Sequence, residues 1–120
     1  MSFAIDVIVL LDAANEDGER FELARSFLAE RLKSKEIFCL PWLVAMSFVR
    51  IATDARIFRK PLAVSEAMAA LRGLLAQPQV QPLAERPGFF ATYEEIAAAP
   101  AIRGQLVPDA HLAAILRQHG

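Results

Sequence analysis

Two aspartates set among apolar residues are the strongest candidates for chemistry in this sequence of 120 residues. Asp6 interrupts the apolar run "FAIDVIVLL" at 3–11, and Asp109 follows Pro108 at the start of the last helical pattern. Burying an ionised carboxylate is costly unless it is paired, capped or bound to a metal. Asp109 has a simple structural explanation, because an acid at a helix start satisfies free N–H groups and the helix dipole. Asp6 has no comparable explanation inside an apolar strand.

Together, the two aspartates point to a metal site. Acidic groups at strand ends and helix starts of an α/β sheet converge on the crevice at its carboxyl edge. Carboxylates brought together there repel one another, and a hard cation such as Mg²⁺ or Mn²⁺ relieves the repulsion. Such an ion can activate a water molecule and neutralise a phosphodiester. We therefore expect Asp6 and Asp109 to be metal ligands and catalytic residues.

A basic cluster in the middle of the sequence is a weaker candidate for RNA binding. It consists of Arg50, Arg56, Arg59 and Lys60, opposed only by Asp54. Clustered cations of this kind can hold phosphate groups. A solvated loop with ordinary ion pairs explains the same residues, and the sequence leaves both interpretations open.

Other kinds of active site have no motif in the sequence. There is no glycine-rich phosphate loop, no nucleophile elbow and no Cys/His cluster with zinc spacing. His111 and His119 are too far apart on one helix to chelate jointly, so we interpret each as a surface or hydrogen-bonded histidine. Cys39 is the single cysteine, which excludes an internal disulfide, and its apolar neighbours predict a buried thiol.

The composition indicates one small domain with a core of its own. Apolar residues make up 55% of the chain, and the net charge of −1 gives no general attraction to nucleic acid or an anionic membrane. The N-terminus lacks the basic region of a signal peptide, and no run reaches the roughly 18 apolar residues of a membrane span. We expect a cytoplasmic protein with no membrane partner.

Strands alternate with helices along the chain, which predicts an α/β layer architecture. The predicted strands lie at 3–11, 37–40 and 80–83, the last at a sheet edge because it contains Pro82. The predicted helices start at Phe21, span 42–53 and 64–76, start again at Thr92, and close the sequence. We expect the helix at 42–53 to be buried because it is apolar nearly all round. The helix at Thr92 is predicted from a capping-box pattern with Glu95.

Three segments resemble the PIN-domain ribonuclease toxins of the VapC type. The segment 40–78 contains a Pro-Trp helix, then Phe-x-Arg-x-x-Thr, an Arg-Ile-Phe loop and a Glu-Ala-containing helix. "AIDVIVLLDAAN" is similar to the family's opening motif, and "GQLVPDAHLAAILRQHG" is similar to its late helix. The motifs occur in the family's order and cover essentially the whole chain.

The resemblance implies a fold, an activity and partners. The implied fold is a PIN-like three-layer α/β/α sandwich with a mainly parallel sheet, formed as one domain by residues 1–120. Its first strand ends near Asp6, and a helix takes over by about Val9. The implied activity is Mg²⁺- or Mn²⁺-dependent cleavage of RNA, with Asp6 and Asp109 at the metal site. The implied partners are a VapB-type antitoxin, the RNA substrate and a second copy of the chain.

The sequence also departs from the family pattern. Ile8 stands where the family has asparagine, and the helix at 42–53 lacks the family's glutamate, with Ala45, Met46 and Ser47 at the corresponding places. The family continues past His-Gly with further strands and an acidic loop, so we expect a domain that is incomplete at the C-terminus and lacks the last strands. The free edge of the first strand then needs a cover, most simply a dimer mate.

Three hypotheses follow from the sequence. The first is a metal-dependent endoribonuclease toxin of a type II toxin–antitoxin pair, weakened by the missing site acids. The alternative is a degenerate, non-catalytic PIN domain that binds antitoxin, RNA or itself. The third is a generic α/β domain with purely structural acids, which requires the three motif matches to be coincidence.

Overall fold

The computed structural model describes residues 2–120 and shows an α/β protein. The elements in chain order are β1 (Ser2–Ala4), α1 (Val7–Ala14), α2 (Phe21–Lys33), β2 (Ile37–Pro41), α3 (Trp42–Ala52), α4 (Val64–Leu75), β3 (Val80–Leu83), α5 (Phe89–Ala97) and α6 (Leu106–His119). The predicted fold class, α/β with a mainly parallel sheet of the PIN-like sandwich type, is confirmed.

The sheet has the order β1-β2-β3, so β2 is its middle strand. β1 pairs with β2 in parallel, with Phe3 opposite Phe38 and their rings 4.9 Å apart. The backbone N–H of Phe38 donates to the carbonyl oxygen of Gln79 at 2.9 Å, just before β3 begins. Phe38 and Leu40 are fully buried, as expected for the middle strand of a sheet.

The strand predicted over 3–11 is wrong, and the early change to helix implied by the family resemblance is confirmed. β1 ends at Ala4, and α1 begins at Val7 although three β-branched residues open it. Leu10 and Leu11 of α1 are both buried. Burial of these leucines in a helical face outweighs the intrinsic strand preference of the residues before them.

Helices α3 and α4 each bury one face. In α3 the buried residues are Val44, Ala45, Phe48 and Ala52. Trp42 is 42% exposed and Met46 is 49% exposed. The prediction of a buried helix therefore holds for one face only, because the apolar surface of α3 is wider than the face that the neighbouring elements cover.

The chain forms two compact units, the first ending at Pro82 and the second spanning Leu83–Gly120. The first unit contains β1, β2 and helices α1 to α4. In the second unit α5 packs against α6, and the buried residues are Ala110, Ala114 and Ile115, all from α6. That residues 1–120 form one domain stays a prediction.

The start of α5 differs from the prediction. The helix begins at Phe89, one turn before Thr92, and its N-cap is Gly88 with φ of +86°. This left-handed conformation is one that glycine adopts without steric cost. The capping box predicted at Thr92 is wrong, since the Thr92 hydroxyl lies inside the helix, 3.5 Å from the carbonyl oxygen of Gly88.

Two smaller expectations concern Cys39 and the membrane. The Cys39 residue is only partly buried rather than enclosed in the core. Along residues 2–120, none of the helices combines the length and the apolar character that crossing a bilayer requires.

Candidate functional site

Asp6 lies at the junction between the first strand and the first helix. It is the N-cap residue of α1, with extended backbone, and its carbonyl oxygen accepts the N–H of Val9 at 3.2 Å. Its side chain makes no capping hydrogen bond and is exposed. In the described chain the Asp6 carboxylate has neither a hydrogen bond nor an ion pair, so capping does not explain why an acid stands here.

Asp109 lies in the first turn of α6, as predicted. The residue is exposed, and among residues 2–120 nothing forms a hydrogen bond or salt bridge with its carboxylate. The positive end of the α6 dipole favours a negative charge at this position. Asp6 and Asp109 are therefore both exposed, and the expectation of carboxylates in apolar burial is wrong.

The chemistry of these two residues suits a hard divalent cation. Carboxylate oxygens are the ligands that Mg²⁺ and Mn²⁺ prefer, and Mg²⁺ is commonly held by one or two carboxylates plus water. Within the part of the chain that the structure describes, no three His, Cys, Asp or Glu side chains are grouped to hold a metal. Asp6 belongs to the first compact unit and Asp109 to the second. That the two carboxylates share one ion stays a prediction.

Helix α3 supplies no acid where the family has a glutamate. Ala45 is fully buried, Met46 is exposed, and Ser47, directly before Phe48, is partly buried. A carboxylate at position 45 would be enclosed in the core at a large desolvation cost. Of the other two positions, 46 and 47, only 47 directly precedes Phe48, the phenylalanine of the family motif.

The basic loop after α3 is partly neutralised by Asp54. Arg56 donates to Asp54 through Nε at 3.1 Å and Nη2 at 2.9 Å, and the Arg56 backbone N–H donates to the same carboxylate at 2.9 Å. The side-chain hydrogen bond from Arg56 lowers the pKa of Asp54 below its ordinary value. The Arg56 side chain is still 89% exposed. Its charge is thus tied to a carboxylate but remains accessible.

The other three basic residues carry no such partner. Arg50, Arg59 and Lys60 are exposed, and in the described part of the chain none of them forms a salt bridge. The loop that carries Arg59 and Lys60 is anchored by Phe58, which is 5% exposed. Their charges, unlike that of Arg56, are not offset by a paired carboxylate in the described part of the chain.

The histidines are satisfied by hydrogen bonds, as predicted from sequence. His111 Nε2 lies 2.9 Å from Glu85 Oε1, and His119 Nε2 donates to the carbonyl oxygen of Ala84 at 2.9 Å. The hydrogen bond from His111 lowers the pKa of Glu85 below its ordinary value. Sequence reasoning missed Glu85 and Gln118, which also binds this segment. The only signal available was the spacing of 111, 118 and 119, which places them on one helical face.

Comparisons with known proteins fit these observations. No protein-family model matches the chain. Ribonuclease VapC48 of Mycobacterium tuberculosis is 32% identical over 120 residues, which is all of this chain and 83% of the relative. Ribonucleases VapC31 and VapC25 of the same organism are 34% and 33% identical over 117 residues, covering 98% of this chain and 82% of each relative.

These relatives match the chain over nearly its whole length at more than 30% identity. The matched region includes β1 with Asp6 and α6 with Asp109, because the first alignment covers the full chain. The resemblance read from the three motifs is therefore confirmed: the chain belongs to the VapC family of PIN-domain ribonucleases.

Proposed function

We propose that this chain is a metal-dependent endoribonuclease toxin of a type II toxin–antitoxin pair. The observation that carries the proposal is the pair of exposed, unpartnered carboxylates at two helix starts, Asp6 and Asp109, in a chain of the VapC family. The ion is Mg²⁺ or Mn²⁺, and the two aspartates are its protein ligands. The ribonuclease names of the relatives support RNA as the substrate.

The bound ion would supply a Lewis acid for the phosphodiester and a more acidic water as nucleophile. Asp6 and Asp109 contribute hard anionic oxygens from the N-terminal ends of α1 and α6. Arg50, Arg59 and Lys60 hold phosphates of the RNA strand by charge, independently of base sequence.

The activity is expected to be weaker than a full set of site acids would allow. α3 brings no carboxylate because Ala45, Met46 and Ser47 occupy the corresponding places. Losing one charged group that stabilises the transition state typically costs about 3 kcal/mol, or roughly a hundredfold in rate. Introducing the acid with Ser47→Glu should therefore raise the rate of RNA cleavage, whereas Ser26→Glu on exposed α2 should not.

The partners follow from the same family membership. A VapB-type antitoxin is the expected inhibitor, a second copy of the chain is the expected homodimer mate, and the cytoplasm is the expected location. The partly exposed apolar side chains Trp42 and Met46 on α3 give the dimer an available surface.

The direct test is cleavage of labelled RNA by the purified protein with Mn²⁺ or Mg²⁺. Asp6→Asn and Asp109→Asn should each lower the cleavage rate by about a hundredfold or more, because each removes an anionic ligand. Asp17→Asn is the matched control, since Asp17 is an exposed aspartate in the turn after α1. EDTA should stop cleavage by the wild type. Cleavage that persists in EDTA, or in both site variants, would overturn the proposal.

A second function is favoured by the absence of a three-acid group among residues 2–120. A non-catalytic PIN domain would bind antitoxin, RNA or its own copy without cutting. It predicts no cleavage with any divalent ion and no growth arrest on expression, together with a stable complex or dimer. Growth arrest that Asp6→Ala reverses would exclude it.

A further inference from the structure

Gln118 near the end of α6 makes more hydrogen bonds to the segment 84–87 than any other side chain of the helix. Its Oε1 accepts the backbone N–H of Arg86 at 2.9 Å, and its Nε2 donates to the carbonyl oxygens of Arg86 at 3.0 Å and Pro87 at 3.4 Å. Arg86 Nη1 in turn donates to the Gln118 carbonyl oxygen at 3.5 Å. One glutamine thus satisfies three backbone groups of a segment without regular structure.

Two histidines extend this contact along the helix. His111 meets Glu85, and His119 meets the carbonyl oxygen of Ala84, each at 2.9 Å. The His111 ring also lies 5.1 Å from the Phe89 ring at the start of α5. We call the hydrogen bonds from His111, Gln118 and His119 to residues 84–87 the clasp. Its three helix residues share one face of α6 because they are seven and eight positions apart.

Helix α6 packs mainly against α5. Its buried residues are Ala110, Ala114 and Ile115, and α5, which packs against it, contributes no buried residue. All residues from 103 to 109 are exposed, so the turn that carries Asp109 has no packing of its own. Directional hydrogen bonds from the clasp add to this packing and restrain the rotation of α6.

Two of the three clasp residues, Gln118 and His111, lie on the side of α6 opposite Asp109. At about 100° per residue, Asp109 is roughly 180° from Gln118 and roughly 200° from His111 around the helix axis. Bonds that fix the clasp face also fix the rotation of α6 about its axis. The direction of the Asp109 carboxylate depends on that rotation, although none of the clasp residues touches it.

We propose that the clasp positions Asp109 for metal binding, with Gln118 as its main positioning residue. This inference rests on the proposed function, because it requires Asp109 to be a metal ligand. Without the clasp, α6 is held within this unit by its contacts with α5 and samples a wider range of rotations. Metal affinity then falls because the ligand-competent rotation is only a fraction of the population.

The test compares Gln118→Ala with Gln105→Ala in the full chain. Gln105 is the control because it is exposed and has no part in the clasp. It is only four positions from Asp109, so any effect of losing a nearby glutamine side chain should be larger at Gln105 than at Gln118. Mn²⁺ binding is followed by electron paramagnetic resonance at a temperature where all variants are folded. Hydrogen exchange of the Arg86 amide reports whether the clasp has opened.

We expect Gln118→Ala to speed Arg86 amide exchange and to raise the Mn²⁺ dissociation constant about fivefold, at the low end of couplings between separate sites. Gln105→Ala should leave both unchanged. Should Gln118→Ala not fold, Gln118→Glu takes its place, because it keeps the acceptor for the Arg86 N–H and loses the two donors. We expect a smaller change in the same direction.

Three results would overturn the inference in distinguishable ways. Unchanged Mn²⁺ affinity with faster Arg86 exchange would show that the clasp is structural only, leaving the proposed function intact. Unchanged Arg86 exchange would show that Gln118 does not hold the segment in solution. Wild-type protein without Asp109-dependent Mn²⁺ binding would remove the proposed metal site and the positioning role together.

Discussion

The two compact units support their candidate site residues by different means. Asp6 follows β1 and precedes α1, in a unit whose middle strand and helices bury large apolar side chains such as Phe38, Leu40 and Phe48. Asp109 stands on a helix with three small or medium buried residues and a clasp of polar side chains. Apolar packing is non-directional, so it tolerates small changes in geometry, whereas hydrogen bonds are lost when their donors and acceptors move apart. The two candidate ligands should therefore respond differently to substitution.

The largest expected effect is on the core of the first unit. Phe38→Ala removes a fully buried ring from the middle strand and should lower the free energy of unfolding by about 3–5 kcal/mol. Phe90→Ala is the matched control in the second unit, because Phe90 is 70% exposed, and should change stability by less than about 0.5 kcal/mol. Urea unfolding measures both. Equal losses would mean that Phe90 is packed in solution.

A smaller and more local effect is expected in the second unit. Ile115→Ala removes the largest buried side chain of α6 and should cost about 2–3 kcal/mol. Hydrogen exchange should show faster exchange in α5 and α6, while the amides of β2 keep their protection. Leu106→Ala, at an exposed position of the same helix, is the control. Uniform loss of protection across both units would show that they unfold as one.

Replacing glycine with alanine should change the stability in opposite directions in the two units. Gly88→Ala in the second unit forces alanine into φ of +86° and should destabilise by about 1–2 kcal/mol. Gly73→Ala in helix α4 of the first unit meets no atom within 4 Å and should stabilise by about 0.5–1 kcal/mol. Thermal unfolding distinguishes them. Loss of stability in both variants would contradict the open space around Gly73.

The smallest effects concern acid stability. The hydrogen bond from Arg56 lowers the pKa of Asp54 in the folded protein. The ionised carboxylate therefore stabilises the fold at pH values above its unfolded pKa of about 3.9. This contribution is lost as the pH falls through the lower pKa of the folded state. Asp54→Asn should therefore be less stable than wild type near neutral pH, with the difference vanishing in acid. Glu85→Gln should behave alike in the second unit, because His111 lowers the pKa of Glu85. Urea unfolding at several pH values checks both, and a difference independent of pH would contradict them.

Helices and strands with a clear pattern were predictable from the sequence. The apolar period over 64–76 predicts α4 at Val64–Leu75, and the short runs at 37–40 and 80–83 predict β2 and β3. The run at 3–11 was wrongly predicted as one strand because strand propensity depends on local sequence. The burial of Leu10 and Leu11, which favours a helix, depends on tertiary packing. The start of α5 was missed because a left-handed Gly88 ends one segment and begins another without any side-chain signal.

The positions of the candidate site residues were easier to predict than their surroundings. The sequence places Asp109 correctly at the start of α6, whereas its pattern puts Asp6 inside a strand and only the family resemblance indicates the change to helix that makes Asp6 the N-cap of α1. Their exposure was not predicted, because apolar neighbours in sequence need not face the same way as the carboxylate. The contacts of Gln118 with Arg86 join residues that are 32 positions apart, and only the fold brings them together.

The most direct test of the central claim is a Mn²⁺ titration of wild type, Asp6→Asn, Asp109→Asn and the double variant. If both aspartates hold one ion, each single variant should lose the same binding event, and the double variant should lose little more than either. Independent, additive losses from the two single variants would contradict a shared site. Wild-type Mn²⁺ affinity in either single variant would also contradict a shared site.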